Sequence, residues 1–526
     1  MIRWSFGKGA AADMIAFRIV IGMIGLVLAP SALEAARHAR PPVASETYIL
    51  IEPVRDGGGH ARTMQTPDGR VVPLARRIVG GSLSEAIHAA LRIAIGPLLP
   101  ALDADARARS RYPNHCPDLG AGIFIYLSDE DGGFARKDLY LQEGASAPRL
   151  CEDHYIDITA DAGSIASGEF EEVLAHEYGH VLLRRLLGPI PATPSRTPHS
   201  VLAVTDPVTA FDEGFGISMQ PLAARLTATP GFRARIERRD PPSPRDFWFS
   251  RHETWLRETA VPNDDFVFEK PEPAAGADPR EAWTASLVSA QIDPCRLKNG
   301  NRMLASEGVA ATFFYRLVND GPEPPTERLH KLAAALAHIG RWTDAPMIAF
   351  IRGWGEAFPP ERMPATRLFV QTTYGATASD AAMQAAATLS CKGAGAALDD
   401  FVDGLKSVRA GQERLVGDIV GGRLAIDAAI GPGLWIADRA VRIPAQFWST
   451  TPGLPLVLDL NSASAADLRL MLDAGPLADR IVSARAEGRF RSFDDLFDRA
   501  RLLSMERRRI EGLAAAYQAL PRFVRE

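Results

Sequence analysis

The sequence predicts an α+β chain: a mainly helical domain with a small N-terminal β-sheet, then a Gly-rich connector and a small all-α module at the C-terminus. Three observations carry this. Short apolar runs bounded by turn residues lie ahead of residue 160 and read as strands. From there to about Ala410 the chain reads as helices separated by glycine and proline. Beyond Leu458 the pattern changes again, to short helical segments rich in arginine. A length of 526 residues fits two or more domains.

Hydrophobic residues make up 46% of the chain and the net charge is −5. A large soluble core is therefore possible, and the strong charge bias of a nucleic-acid-binding or polyacidic protein is missing. At the N-terminus, Arg3, Lys8 and Arg18 precede an apolar run over residues 19–29, and Ser31, Ala32, Ala35 and Ala36 follow it. This run is shorter than the ~20 residues of a membrane span. It reads as an export segment, either a cleaved signal peptide or an uncleaved membrane anchor, which places the rest of the chain in the periplasm. The cysteines are Cys116, Cys151, Cys295 and Cys391, with no CxxC spacing. In an exported chain they suggest two disulfides, and the pairs nearest in sequence are Cys116 with Cys151 and Cys295 with Cys391.

The elements follow in order. Residues 47–54 read as a strand that turns at Asp56-Gly57-Gly58-Gly59. Ser82 or Ser84 is expected to cap a helix containing Ile87, Leu91, Ile93 and Leu98. Residues 122–127 form a second strand, ended by the acidic, glycine-containing stretch 128–133, and 155–158 a short third one. Strands so close to the next helix are expected to lean a sheet on it. That helix is expected over 167–187, with Glu169 and Glu171 in an acidic first turn and Arg184 and Arg185 in a basic last one. Gly188 and Pro189 stop it. A second helix starts near Asp206 or Pro207 and runs to Leu226. Residues 239–280 form a long Pro-rich, charged loop whose Phe247, Trp248, Phe249 and Trp255 suit a cover over a cleft. Helices then follow over 302–318, 327–339 and 343–357, with Ala-rich ones around Cys391. The resulting division is 1–40 (export segment), 41–410 (main domain), 411–455 (connector with short strands at 434–436 and 441–443) and 456–526 (C-terminal module).

The chemistry concentrates in His176-Glu177-Tyr178-Gly179-His180, set in an apolar run. On a helix, residues four apart share one face, so both imidazoles can grip one Zn²⁺. Glu177 then lies close enough to take a proton from a water activated by that metal. This is the HExxH signature of zinc peptidases. A third ligand is needed. The metzincin spacing requires Gly and His where this chain has Leu183 and Leu186, so that class is excluded. His199 sits in a Pro-rich loop without helical support.

With Ala210-Phe-Asp-Glu-Gly-Phe-Gly216 on the next helix, the sequence resembles the gluzincin metallopeptidases. In that family a glutamate on a second helix, often in a motif like NEGFA, completes the site. The resemblance implies a zinc peptidase acting on a peptide or protein, with His176, His180 and Glu213 as ligands and Glu177 as general base. The gap from His180 to Glu213 is longer than in the best-known members, and Asp212 replaces the usual Asn. Reach also favours glutamate, because neighbouring helix axes stand roughly 8–10 Å apart. Gly214 and Gly216 allow a close approach, and Asp212 suits the role of proton acceptor for a ligand imidazole. An oxyanion donor is expected from a later helix. The candidates are Tyr315, His252 and Tyr374, and Tyr315 lies on the helix that resembles the one following the glutamate helix in gluzincins.

The C-terminal residues Leu458-Asp-Leu-Asn461, Asp473-Ala-Gly-Pro476 and Gly488-Arg-Phe490 resemble the helix-hairpin-helix domain of the DNA-uptake receptor type. Such hairpins aim turn amides at phosphates. Here Asp473 replaces the first hairpin glycine, and the second hairpin, Leu502-Leu-Ser-Met-Glu506, has none. Residues 456–526 carry twelve Arg and eleven acidic residues, net +1. An acidic residue at the turn opposes DNA binding, so a protein-contact or packing role is the expected one. A catalytically silent zinc protein, or a DNA-binding or uptake factor acting through this module, are the alternative readings.

Overall fold

Strand β1 (Tyr48–Pro53) is apolar on both faces, and that property shapes the N-terminal region. In a computed structural model, the protein is described over residues 47–112, 116, 122–130, 132–191, 201, 204–237, 265–268, 298, 300–375, 398–426, 460–461, 468, 475–508 and 510. Tyr48 and Leu50 of β1 point to a core shared with helices, while Ile49 and Ile51 point to a second core among the strands. A strand buried on both sides reads as a continuous apolar run, which is how residues 47–54 stand out.

The other strands are β2 (Thr63–Gln65), β3 (Val71–Arg77), β4 (Ile123–Leu127), β5 (Gly133–Gln142) and β6 (Arg149–Ile158). Their order is β1-β4-β6-β5-β3-β2, and β1 also pairs with β3. Five strands thus close into a barrel, with β2 appended to β3. This sharpens the expected small sheet, since closure leaves no long exposed edge on β1. Ile49, Ile51, Phe124, Tyr126, Leu141 and Tyr155 fill the inside. Cys116 and Cys151 form the expected disulfide; Cys295 and Cys391 lie outside the described residues.

Three strands escaped the sequence reading, and β6 is longer than expected. Pro73 interrupts β3 where the strand lies opposite Thr63 of the appended strand, and a proline there breaks the apolar pattern. The first half of β5 is only half-buried and carries Arg136 and Lys137, so no apolar pattern marks it.

Helix α1 (Ser82–Leu91) is preceded by Gly81 as its N-cap, and neither Ser82 nor Ser84 caps it. Leu98 starts a separate helix, α2 (Leu98–Arg109), beyond a break at Gly96 and Pro97. A short α3 (Ala162–Ser167) then takes the serine expected to open the motif helix. Gly168 adopts φ 78°, and α4 (Glu169–Leu187) begins after it. A side chain at Gly168 would also meet Phe232 at 2.3 Å. Gly188 ends α4 as expected.

Helix α5 (Pro207–Leu226) runs over the expected residues, followed by α6 (Pro230–Ile236). The helix expected over 302–318 is two: α7 (Gly300–Leu304) and α8 (Glu307–Asn319). They are split where Ser306 bridges to Val204 as in an antiparallel ladder. Next come α9 (Pro325–Ile339), α10 (Pro346–Ala357), α11 (Arg362–Thr372) and α12 (Leu398–Val420). Val416 and Ile419 of α12 join the main core, so the first residues of the expected connector belong to the main fold. Helices α13 (Gly475–Ala486) and α14 (Phe493–Arg499) follow, then a helical stretch over 504–508, and Leu477, Ile481, Phe490, Leu496 and Phe497 belong to a second apolar cluster. Among the described residues no helix is long and apolar enough to cross a membrane. The export segment, the 434–436 and 441–443 strands and most of the 239–280 loop lie outside the described residues.

On the side of α4 towards α2 and β6, charge is buried in a ring. Arg185 donates to Asp103 at 2.6 Å and to Asp153 at 3.0 Å. Arg107 donates to Asp103 and faces Asp153, both at 2.7 Å. Replacing Arg185 with Leu leaves two buried carboxylates to one cation, and the denaturation midpoint should fall by an amount equivalent to about 3–5 kcal/mol. An unchanged midpoint would show that the ring does not hold the fold.

His154 of β6 lies beside this ring. Burial, then Arg185, Arg184, Lys137 and Arg107, push its pKa down to about 2. The folded protein keeps this imidazole neutral, while the unfolded chain binds a proton as pH falls through about 6.5. The stability is therefore present above that pH and lost below it, by about 1.4 kcal/mol per pH unit. Denaturation of His154→Gln across pH 5–8 should show a flatter acid limb than the unsubstituted protein.

Candidate metal centre

Two helices carry the site. Helix α4 is buried along most of its length, with Leu174, Ala175, Tyr178, Leu182 and Leu183 in the main core. Helix α5 is started by Asp206, whose side chain accepts from the amides of Val208 at 2.9 Å and Thr209 at 3.0 Å. Pro207 occupies the first helical position, where its missing N–H costs nothing. The two helices cross where Gly179 meets Gly216: a Cβ on Gly179 would lie 3.1 Å from the Gly216 Cα. A Cβ on Gly216 would lie 3.1 Å from the His176 imidazole. Gly214 faces the other way, towards Ala310 and the Glu307 carbonyl of α8. The two glycines expected to bring one partner close thus serve two different neighbours.

At this crossing His176, His180 and Glu213 gather. One ligand atom from each lies within 4.8 Å of the other two. The Nε2 atoms of the histidines are 3.1 Å apart, and Glu213 Oε2 stands 3.4 Å from His176 Nε2 and 3.6 Å from His180 Nε2. Two nitrogens and a carboxylate oxygen converging on one point are a donor set for a divalent cation, and zinc is one that it suits. The His176 side chain is 16% exposed against 4% for His180, so the site opens on the His176 side.

Asp212 faces the other nitrogen of His180, with Oδ1 3.0 Å from Nδ1. Its second oxygen lies 3.5 Å from Arg184 Nη2. Burial disfavours charge on His180, but Asp212 and Glu213 outweigh it and hold the imidazole pKa well above its ordinary value. Burial is likewise outweighed at Asp212, whose pKa His180 and Arg184 hold below the usual carboxylate range. A carboxylate behind a ligand imidazole sets its tautomer and orientation. Asp206 serves as the helix cap, and His199 lies outside the described residues.

Glu177 is buried beside the ligands and rests on the barrel. A Cβ at Gly133, the first residue of β5, would lie 2.9 Å from Glu177 Oε1 and 2.4 Å from Val173. Arg184 also reaches the barrel, donating to the Ala135 carbonyl. Neither contact was read from the sequence. The signal for Arg184 is in the sequence: it follows His180 by four residues, on the same helix face. The acidic first turn of α4 proves to be a clamp. Glu171 accepts from Thr227 at 2.8 Å and Thr229 at 3.2 Å, and Glu172 pairs with Arg235 and Gln220.

Of the oxyanion candidates, Tyr315 is buried on α8, the helix beside α5, and its carbonyl accepts from Asn319. Tyr374 is buried against Phe268, with a ring-centroid distance of 6.5 Å. His252 lies outside the described residues. In the C-terminal module the turn amides after α14 are in use: Arg501 donates to the Asp498 carbonyl, Leu502 to that of Phe497, and Leu503 to the Glu506 carboxylate at 2.8 Å.

The chain matches no protein-family model, no curated protein and no solved structure.

Gly216→Ala tests the crossing. The added methyl group must displace either the His176 ring or α5, so metal affinity should drop about tenfold or more while far-UV circular dichroism stays unchanged. Unaltered affinity would mean that the ring has room to move.

Proposed function

We propose that the protein is a zinc-dependent peptidase that hydrolyses peptide bonds in the cell envelope. One observation carries this reading: His176, His180 and Glu213 converge, with Glu177 buried next to them on the same helix. The sequence resemblance to gluzincins assigns the same residues the same roles. The Cys116–Cys151 disulfide supports an oxidising compartment, in line with the export segment expected over 1–40.

His176, His180 and Glu213 would hold the cation. When bound, zinc supplies Lewis acidity, which polarises the scissile carbonyl and lowers the pKa of a water. The carboxylate of Glu177 removes the proton from the attacking water and delivers it to the leaving amine nitrogen. Asp212 keeps His180 oriented with Nε2 towards the ligand group, and Arg184 keeps Asp212 ionised. Tyr315 is assigned as the donor to the developing oxyanion, an assignment that rests on the resemblance. The occupied turn amides at 501–503 leave that turn of the second hairpin fewer donors for a phosphate.

Purified protein should hold about one zinc per chain. Glu177→Gln should keep that zinc and lose hydrolysis of a general peptide substrate by at least about a hundredfold. Undiminished turnover would remove Glu177 from the chemistry. Glu213→Ala should lose the zinc, and full retention would move the third ligand elsewhere. Tyr315→Phe should lower kcat by about 10²–10³ with little change in KM.

A further inference from the structure

We infer that the C-terminal module is a built-in brace of the metal site, acting on α5 through the short ladder that precedes it. The ladder joins Val204 to Ser306, with the Thr205 amide donating to the Ala305 carbonyl at 2.7 Å. Both helices around Glu213 start from it. Asp206, the next residue on one side, caps α5. On the other side Glu307 opens α8, and its carbonyl and Ala310 receive Gly214. Lys298 pins the same point, donating to Ser306 Oγ at 2.7 Å and to the Phe266 carbonyl at 2.6 Å.

What covers the ladder is the module. Val204 is 4% exposed and Ala305 0%, and neither belongs to the main core. They belong instead to one apolar cluster with Leu460, Leu468, Leu477, Ile481 and Phe490 of the C-terminal residues. The segment leading into the ligand helix is therefore sealed from water by a unit some 250 residues further along the chain. A ladder this short is weak when exposed to solvent, because its hydrogen bonding then competes with water. Excluding water by apolar cover strengthens it. The start of α5 keeps its place, and with it Glu213, two turns on. The module has an occupied apolar face within its own chain, and this gives it a role that needs no nucleic acid.

The test uses the full chain with two substitutions that approach the contact from either side. Leu477→Asp breaks the module's core, and Ala305→Asp puts a charge into the ladder. Leu503→Ser with Met505→Ser is the control, since these side chains are 61% and 70% exposed. Hydrogen exchange of the amides of residues 208–213 and the zinc dissociation constant are measured in each protein. Exchange should accelerate by about tenfold or more in both test variants, the zinc dissociation constant should rise about tenfold, and the control should match the unsubstituted protein. Free exchange throughout residues 475–510 with unchanged protection at 208–213 would overturn the brace. The metal readout rests on the proposed zinc site, whereas the exchange readout does not. Accelerated exchange in a protein that takes up no zinc would keep the brace and dismiss the zinc site.

Discussion

The centre of the molecule depends on how closely two helices approach. Ordinary side chains hold packed helices 8–10 Å apart, and a histidine pair on one helix with a glutamate on the other must converge across that gap. Glycine at the contact point, Gly179 on α4 and Gly216 on α5, removes the spacer side chains. Gly214 then allows α8 to press on α5 from the opposite side. Helix α5 is thus held between two partners, and Phe211 and Phe215 lock it to Phe314, each with ring centroids 5.1 Å apart. The grouping of His176, His180 and Glu213 is a consequence of small residues at one crossing and large aromatic ones beside it.

Helix α4 pays for its burial by giving partners to the charges at its two ends. Its N-terminal acids are tied to Thr227, Thr229, Gln220 and Arg235, its middle presents the ligands, and its end delivers Arg185 to Asp103 and Asp153. An unpaired charge at any of these depths would cost several kcal/mol, about as much as the net stability of many domains. Glu171, Glu172 and Arg185 each have both a partner and a direction. The same partners fix the rotation of α4 about its axis, and this rotation turns His176 and His180 towards α5.

The parts legible in the sequence were those governed by local rules. Residues 169–187 and 207–226 were readable because Gly188, Asp206 and Pro207 punctuate them, and β1 and β4 because both their faces are apolar. The grouping of His176, His180 and Glu213 followed from helical spacing and a known pattern. Features that depend on distant partners were hidden. The closure of the barrel needs β1 to find β3 as well as β4, which no local pattern encodes. The break at Ala305 exists because Val204 pairs with Ser306, while the residues around it look like one continuous helix. Gly133 gave no sign that it would lie against Glu177.

That last contact separates two functions within the site. The proposed ligands belong to the helices, whereas Glu177 is packed between α4 and the first residue of a barrel strand. A displacement of β5 would therefore reposition the carboxylate without stretching the distances among His176, His180 and Glu213. Arg184 limits such a displacement, because it holds the Ala135 carbonyl of β5 while its guanidinium also faces Asp212 behind His180. One side chain thus refers the position of the barrel to the orientation of a ligand. With the module sealing the ladder at the start of α5, the site is referenced at three points: the barrel through Arg184, the glycine crossing through Gly216, and the C-terminal module through Val204 and Ala305. In the proposed metal site, His180 would thus answer to the barrel as well as to the two helix contacts, and Glu177 to the barrel directly.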